Sequence, residues 1–323
     1  MEPQAFQSGQ KQDDLVFIRF LAVLLITNSH LDSLYPFPQL ATGGAIGNSL
    51  FFMLSGYGLA VSNQKRERPF LEWYGRRLRR LYPPVLAVTF LLFAFSENGL
   101  AGWTFTDYIS SFIWPTHFWF IGAFLIFYLL FFLVMRQKTD RAYLAVIGIL
   151  LIPYLYFYYS SADLRHYTIE GPGYFKWIFY LQVMLFGGYL ATRNREIKSG
   201  NLVGLGLLCI TTLLYASCGL LFIHGYYGRY QFMMHLTTVP MIYLIFSLAR
   251  SAFVAEKILN NHNCYFIISL VSGLALEIYL LQYAVYSLEF IQSLIFPVNV
   301  AVFSLVLLAA SLVLSRSLRF IMR

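Results

Sequence analysis

The chain has 323 residues, of which 59% are hydrophobic and 12% charged, whereas an ordinary soluble domain carries about 25% charged residues. A soluble fold of this size could not hide that much apolar surface, with 31 Phe and 24 Tyr, which excludes a soluble enzyme, a disordered chain and a nucleic-acid-binding domain. The net charge of +8 sits in short basic clusters between apolar runs, the usual pattern of cytoplasmic loops beside membrane spans.

A membrane helix needs about 20 apolar residues. Taken in chain order, such segments run over 15–32, 44–62, 80–96, 117–136, 142–160, 174–192, 201–222, 232–250, 265–286 and 293–314. The expected fold is an all-α polytopic membrane protein with about ten transmembrane helices. The first segment is too long for a removed signal peptide and lacks a small-residue cleavage site. Residues 1–14 then form a cytoplasmic tail, and 1–323 reads as a single transmembrane domain with no appended soluble domain and no internal repeat. The longest stretches outside the spans are 63–79, 97–116 and 161–173.

Charge tests this topology. With the N-terminus in the cytoplasm, the inside segments collect Lys11, the run from Lys65 to Arg80, Arg136 to Arg141, Arg193 to Lys198, Arg250 with Lys257, and Arg316 to Arg323. Only Arg165, Lys176 and Arg229 fall outside, and Arg19 lies within the first span. That asymmetry is what the positive-inside rule describes, and an odd number of spans would spoil it. Both termini are expected in the cytoplasm. Cys209 and Cys218 would face opposite sides of one helix, so neither a disulfide framework nor a metal cluster is expected.

Ionisable residues inside a span are expensive and therefore functional candidates. Arg19 and His30 lie eleven residues apart in the first span. At 100° per residue that is three turns plus about 20°, so one helix would place them on one face, about 16.5 Å apart along the axis. Arg19 would lie toward the cytoplasm and His30 toward the outside. The alternative is that Arg19 snorkels to the inner interface and His30 simply ends the helix. Glu277, in the run from Leu274 to Gln282, must be paired, protonated or facing a wet cavity. It serves either as a structural tie or as a functional group.

Arg76-Arg77-Leu78-Arg79-Arg80-Leu81-Tyr82-Pro83-Pro84 stands at the cytoplasmic end of the third span. Arginine forks bind phosphate bidentately, and Arg77 and Arg80 are neighbours at helical spacing. The competing reading is topogenic charge with attraction to anionic lipid. His117-Phe118-Trp119-Phe120 opens the fourth span from outside, as a substrate contact or as part of an interfacial aromatic belt. His166, His224, His235 and His262 lack metal-ligand spacing and receive no role. Gly43-Gly44-Ala45-Ile46-Gly47-Asn48 precedes the second span and permits close helix packing or backbone approach to a ligand.

Taken together these pieces resemble the acyltransferase-3 family of integral membrane acyltransferases. Arg19 and His30 match that family's first-helix arginine, ten residues, histidine arrangement. Leu50-Phe51-Phe52-Met53-Leu54-Ser55-Gly56-Tyr57 resembles its LFFxLSGF signature. Phe70-Leu71 and Arg77 to Pro84 resemble its basic stretch running into R-I/L-Y-P-P. His117 to Phe120 and Phe127 to Phe131 resemble its HLWF…FYLLF helix, and Ala275 to Gln282 its late S/A-L-E-I-Y-L segment. The resemblance covers essentially the whole chain. Two departures stand out. Phe120 to Phe124 contains no acid where many members carry a glutamate, and Gln282 stands where many carry a histidine.

The resemblance implies transfer of an acyl group, most often acetyl, from coenzyme A to a hydroxyl of a cell-surface or lipid-linked carbohydrate. A bacterial inner membrane is the implied location. Arg77, Arg80 and Arg19, with Arg76 and Arg79 behind them, would hold the cytoplasmic acyl-CoA phosphates. His30 would act as general base, or as the carrier of an acyl-His intermediate. Asn28, Ser29, Asn48, Ser55 and Glu277 would orient it or stabilise an oxyanion. His117, Trp119, Tyr279 and Gln282 would contact the acceptor. No metal is expected. The competing class is a carrier or flippase for a lipid-linked glycan that uses Arg19, His30 and Glu277 as an intramembrane relay.

Overall fold

Each of the ten apolar segments falls mainly on helix in the structure, a computed structural model that describes residues 3–94, 103–115, 118–160, 170, 175–193, 201–223, 231–251, 254 and 258–322. The helices are α1 (Pro3–Asn28), α2 (Gly44–Lys65), α3 (Phe70–Ala94), α4 (Phe105–Tyr108), α5 (Trp119–Met135), α6 (Asp140–Ser160) and α7 (Phe175–Arg193). They continue with α8 (Asn201–Ile223), α9 (Phe232–Ala249), α10 (His262–Gly273), α11 (Ala275–Tyr286), α12 (Glu289–Gln292) and α13 (Val298–Ile321). The protein is an all-α polytopic membrane protein. Among the described residues, five helices are long and apolar enough to cross a membrane, or six if α10 and α11 form one broken span. Apolar α5 has 17 residues and falls just below that length.

Several boundaries differ from the sequence expectation. Helix α1 runs from Pro3 to Asn28 rather than over 15–32. Helix α3 starts at Phe70 rather than 80, so Arg76 to Arg80 ride on its second and third turns. The ninth span is two helices, broken at Leu274. The last helix starts at Val298 rather than 293, directly after Pro297, whose missing N–H is tolerated at a helix start and not inside one.

The chain divides into two compact units. The first comprises Met1–Leu24, Ala45–Arg66 and Leu133–Ser272. In it α6 and α7 pack antiparallel, with the Gln182 amide donating to the Ile147 carbonyl at 3.1 Å and Arg193 reaching Asp140 at 3.4 Å. Helix α2 lies against α7 with backbones in contact. A Cβ on Gly56 would strike the Met184 carbonyl, and one on Gly187 would strike the Met53 carbonyl. Glycine is required at both positions because lipid offers no hydrophobic drive for association and close van der Waals packing must supply it. Phe52 stacks on Tyr180 beside this contact.

The second unit comprises Leu25–Gly44, Glu67–Phe132 and Gly273–Arg323. Here α11 packs on α13 and α3, and α3 runs antiparallel to α5. Phe70 and Trp73 meet Phe132 with ring centroids 5.1 and 5.2 Å apart, and the Tyr74 hydroxyl donates to the Leu125 carbonyl at 3.1 Å. Trp73 and Phe131 are fully buried, forming an aromatic core under the arginine run.

Candidate active site

Helix α1 ends at Asn28, and the chain then tightens. Ser29 N–H still bonds the Leu25 carbonyl, but His30 N–H bonds Thr27 and Leu31 N–H bonds Asn28, both three residues back. His30 therefore sits on a tighter turn past the helix, and the helical register that would align it with Arg19 stops short of it. Arg19 itself is half-buried on α1 in the first unit.

The second unit holds His30 by other means. The Tyr283 hydroxyl lies 2.9 Å from His30 Nδ1, and the two rings are 4.7 Å apart at 51°. The following turn, Asp32–Leu34, is fastened to the C-terminal helices. Tyr286 donates to Ser33 Oγ at 2.7 Å and to Asp32 Oδ1 at 3.3 Å. Ser33 Oγ donates to Gln292 at 2.9 Å, Gln292 Nε2 donates back to the Tyr286 carbonyl at 2.7 Å, and Asn299 donates to the Leu34 carbonyl at 2.8 Å. Each neutral hydrogen bond contributes about 1 kcal/mol net, so the set holds the turn by cooperation rather than by any one contact.

Asn28 shapes the loop beyond. Its Nδ2 donates to the carbonyls of Leu40 at 2.8 Å and Thr42 at 3.0 Å, and its Oδ1 accepts from Tyr35 at 2.6 Å. The loop then turns into α2 at Gly43, whose φ of 99° favours glycine. Ser29 Oγ donates to the Ile26 carbonyl at 2.7 Å. Both side chains thus organise the segment carrying His30.

The arginines separate by environment. Arg77 is half-buried, its guanidinium lies over the Trp73 ring at 5.4 Å, and its buried Nε makes no hydrogen bond among the described residues. Burial, which Tyr128 partly counters, lowers its pKa, as do the like charges of Arg80, Arg68 and Arg76. A desolvated cation with an unused donor is a strong anion site. Arg76 shares Glu72 with Arg68, at 3.7 and 3.2 Å, while Arg79 and Arg80 are exposed. Trp73 meets Tyr128 edge to face, and Tyr279 packs on Phe118 and Phe120 at 6.4 and 5.1 Å. Eight residues of α5, about 12 Å, separate those two levels, and Tyr283 is one turn further along α11, about 6 Å. Arg77 is one turn beyond Trp73 on α3, so the axial offset between Arg77 and His30 is roughly 12–18 Å, the larger figure applying to a guanidinium folded back over Trp73.

Gln282 is 1% exposed, and neither its Oε1 nor its Nε2 has a partner among the described residues. Glu277 is half-buried in the first turn of α11, where helix N–H groups favour a carboxylate. Trp119 is half-buried at the start of α5, and His117 lies outside the described residues. Asn48 and Ser55 belong to α2 in the first unit, where Ser55 Oγ donates to the Phe51 carbonyl at 2.8 Å and the buried Asn48 Oδ1 has no hydrogen-bond partner among the described residues. The second unit thus gathers His30, Asn28, the α3 arginines, Glu277, Trp119, Tyr279 and Gln282, while Arg19, Asn48 and Ser55 are in the first.

Two features escaped sequence reading. Tyr283 is one of 24 tyrosines and carries no motif. In the first unit His235 is 4% exposed and bonded on both sides, to Tyr154 at 2.8 Å through Nδ1 and to Glu170 at 3.1 Å through Nε2. Phe179 stacks flat on it at 3.7 Å, and Tyr180 donates to the other Glu170 oxygen at 2.7 Å. Burial pushes the Glu170 carboxyl up, but His235, Tyr180 and Lys176 outweigh it and hold its pKa below the usual range.

A multi-pass membrane protein with a clamped histidine and an aromatic-backed arginine site is the class these features define. The profile of the acyltransferase 3 family (Acyl_transf_3), described as an acyltransferase domain, matches residues 13–318. The chain belongs to that family, and acyltransferase activity follows from the membership. Neither a curated protein nor a solved structure matches the chain.

Proposed function

We propose that this protein is a membrane O-acyltransferase that moves an acetyl group from cytoplasmic acetyl-CoA to a hydroxyl of a cell-surface or lipid-linked carbohydrate, in a bacterial inner membrane. The family match over residues 13–318 is the observation that carries the acyl-transfer reading. The chain spans the bilayer ten times with both termini inside. Contacts within the first unit support that alternation. Asp13 with Tyr265, Asp14 with Arg250, and Asp140 with Arg193 each join helix ends assigned to the cytoplasm, whereas Tyr154, Glu170 and His235 join ends assigned to the outside.

Arg77 holds CoA phosphate, with Arg80, Arg79 and Arg76 adding positive charge. The offset of roughly 12–18 Å between Arg77 and His30 suits a long, thin pantetheine arm delivering its thioester to the histidine. His30 removes the proton as the sugar oxygen attacks the thioester carbonyl. The C–S bond breaks, and the proton passes from the imidazolium to the departing thiolate. Gln282, Tyr279 and Trp119 of the second unit contact the acceptor, and Glu277 supplies polar support.

Purified protein in nanodiscs, given radiolabelled acetyl-CoA and a membrane glycan extract, tests this. Label transfer by the wild type and its loss in His30→Ala are expected. Absence of CoA binding and transfer in the wild type would overturn the reading in favour of a glycan carrier.

A further inference from the structure

The reading of His30 as base leaves open what aims the imidazole, since helix α1 ends two residues before it. Three facts in the second unit bear on this. First, a phenol lies at His30 Nδ1, 2.9 Å away, with the ring centroids 4.7 Å apart. Second, α11 presents Tyr279, Tyr283 and Tyr286 at spacings of four and three, hence on one face. Tyr279 anchors that face to the start of α5, and Tyr286 anchors it to Asp32 and Ser33, so Tyr283 is held from both sides. Third, the Asp32 carboxylate accepts from Tyr286 and lies close enough to act electrostatically on Tyr283.

We infer that Tyr283 is a positioning residue for acyl transfer, its phenolic oxygen accepting from His30 Nδ1–H so that Nε2 faces the reacting hydroxyl, with Asp32 behind it. This inference rests on His30 being the base. A neutral imidazole can take a proton at Nε2 only if its own proton is on Nδ1, and a fixed acceptor at Nδ1 selects that tautomer. The same hydrogen bond persists when Nε2 takes the hydroxyl proton, and the nearby Asp32 charge favours the imidazolium. The arrangement follows the logic of an oriented histidine in a triad, with a phenol in place of the orienting carboxylate. Among the described residues Tyr283 on α11 meets the ring, and Tyr286 on α11 and Asp32 on the following turn act on Tyr283.

Wild type, His30→Ala, Tyr283→Phe and Asp32→Asn are compared in nanodiscs with acetyl-CoA and the glycan extract, measuring kcat, KM for acetyl-CoA and the pH–rate profile. Tyr283→Phe is expected to lower kcat by about 10- to 100-fold with KM for acetyl-CoA unchanged, and to move the acidic limb to lower pH because the imidazolium loses a partner. A residue that only supports the fold would lower the active fraction and leave the limb in place. Wild-type kcat and an unmoved limb in Tyr283→Phe overturn the inference. Should Tyr283→Phe not fold, Asp32→Asn decides: a limb shifted to lower pH supports the inference and an unmoved limb overturns it. Full activity in His30→Ala overturns the proposed function instead, so the two failures are distinct.

Discussion

Two histidines occupy opposite situations in this molecule. His235 in the first unit is 4% exposed, bonded at both nitrogens and covered by Phe179. His30 in the second unit is half-buried on a turn, with a phenol at Nδ1. A ring whose two nitrogens are committed to protein groups ties elements together, and here it joins α6, α9 and Glu170. The His30 ring meets a phenol on a turn that Tyr286, Gln292 and Asn299 fasten to the C-terminal helices, past the end of α1. Two histidines of one chain thus differ in what their nitrogens bond and in how rigid an element carries them.

The sharpest way to break this comparison is to remove each ring. His30→Ala should reduce acyl transfer by about 10²- to 10⁴-fold while thermal stability in detergent stays near wild type. If His235→Ala instead shows the larger catalytic loss at normal stability, the roles are reversed.

Glu170→Gln sharpens the first-unit side. Its lowered pKa stabilises the fold above the ordinary carboxylate range, and that contribution disappears as pH falls through the folded value. The variant should lose about 1–3 kcal/mol near neutral pH, read as a lower melting temperature, with kcat of the folded fraction unchanged.

Asp14 gives the opposite sign. Burial raises its pKa to about 6, Arg250 opposing and Asp13 adding to the rise. The folded state then holds a proton that the unfolded chain has lost, so stability falls as pH rises from about 4 to 6. Melting curves across that window should show a fall of about 2 kcal/mol, flattened in Asp14→Asn.

The smallest expected effect is on donor binding. Arg77→Lys keeps the charge but loses the fork and the stacking on Trp73, and should raise KM for acetyl-CoA about tenfold with little change in kcat. Arg76→Lys, already sharing Glu72, should change KM less than threefold on the same assay.

Much of this molecule is legible in its sequence because hydropathy and charge act locally. Ten apolar runs became helices since a backbone in lipid must satisfy its own hydrogen bonds, whatever its neighbours are. The arginine run and His30 stand out because charge in or beside a span is costly and therefore rare. Other features depend on residues far apart in the chain, which no local period reports. Glu170 and His235 meet across 65 positions, His30 and Tyr283 across 253. Asn28 reads as a catalytic amide until its loop folds back and takes both its donors and its acceptor. Gly56 looks like one letter of a motif, and only the facing Met184 carbonyl shows that a Cβ has no room. Local physics determined which runs of the chain became apolar helices; long-range packing decided which polar groups meet, because pairs such as His30 and Tyr283 are related by no local period.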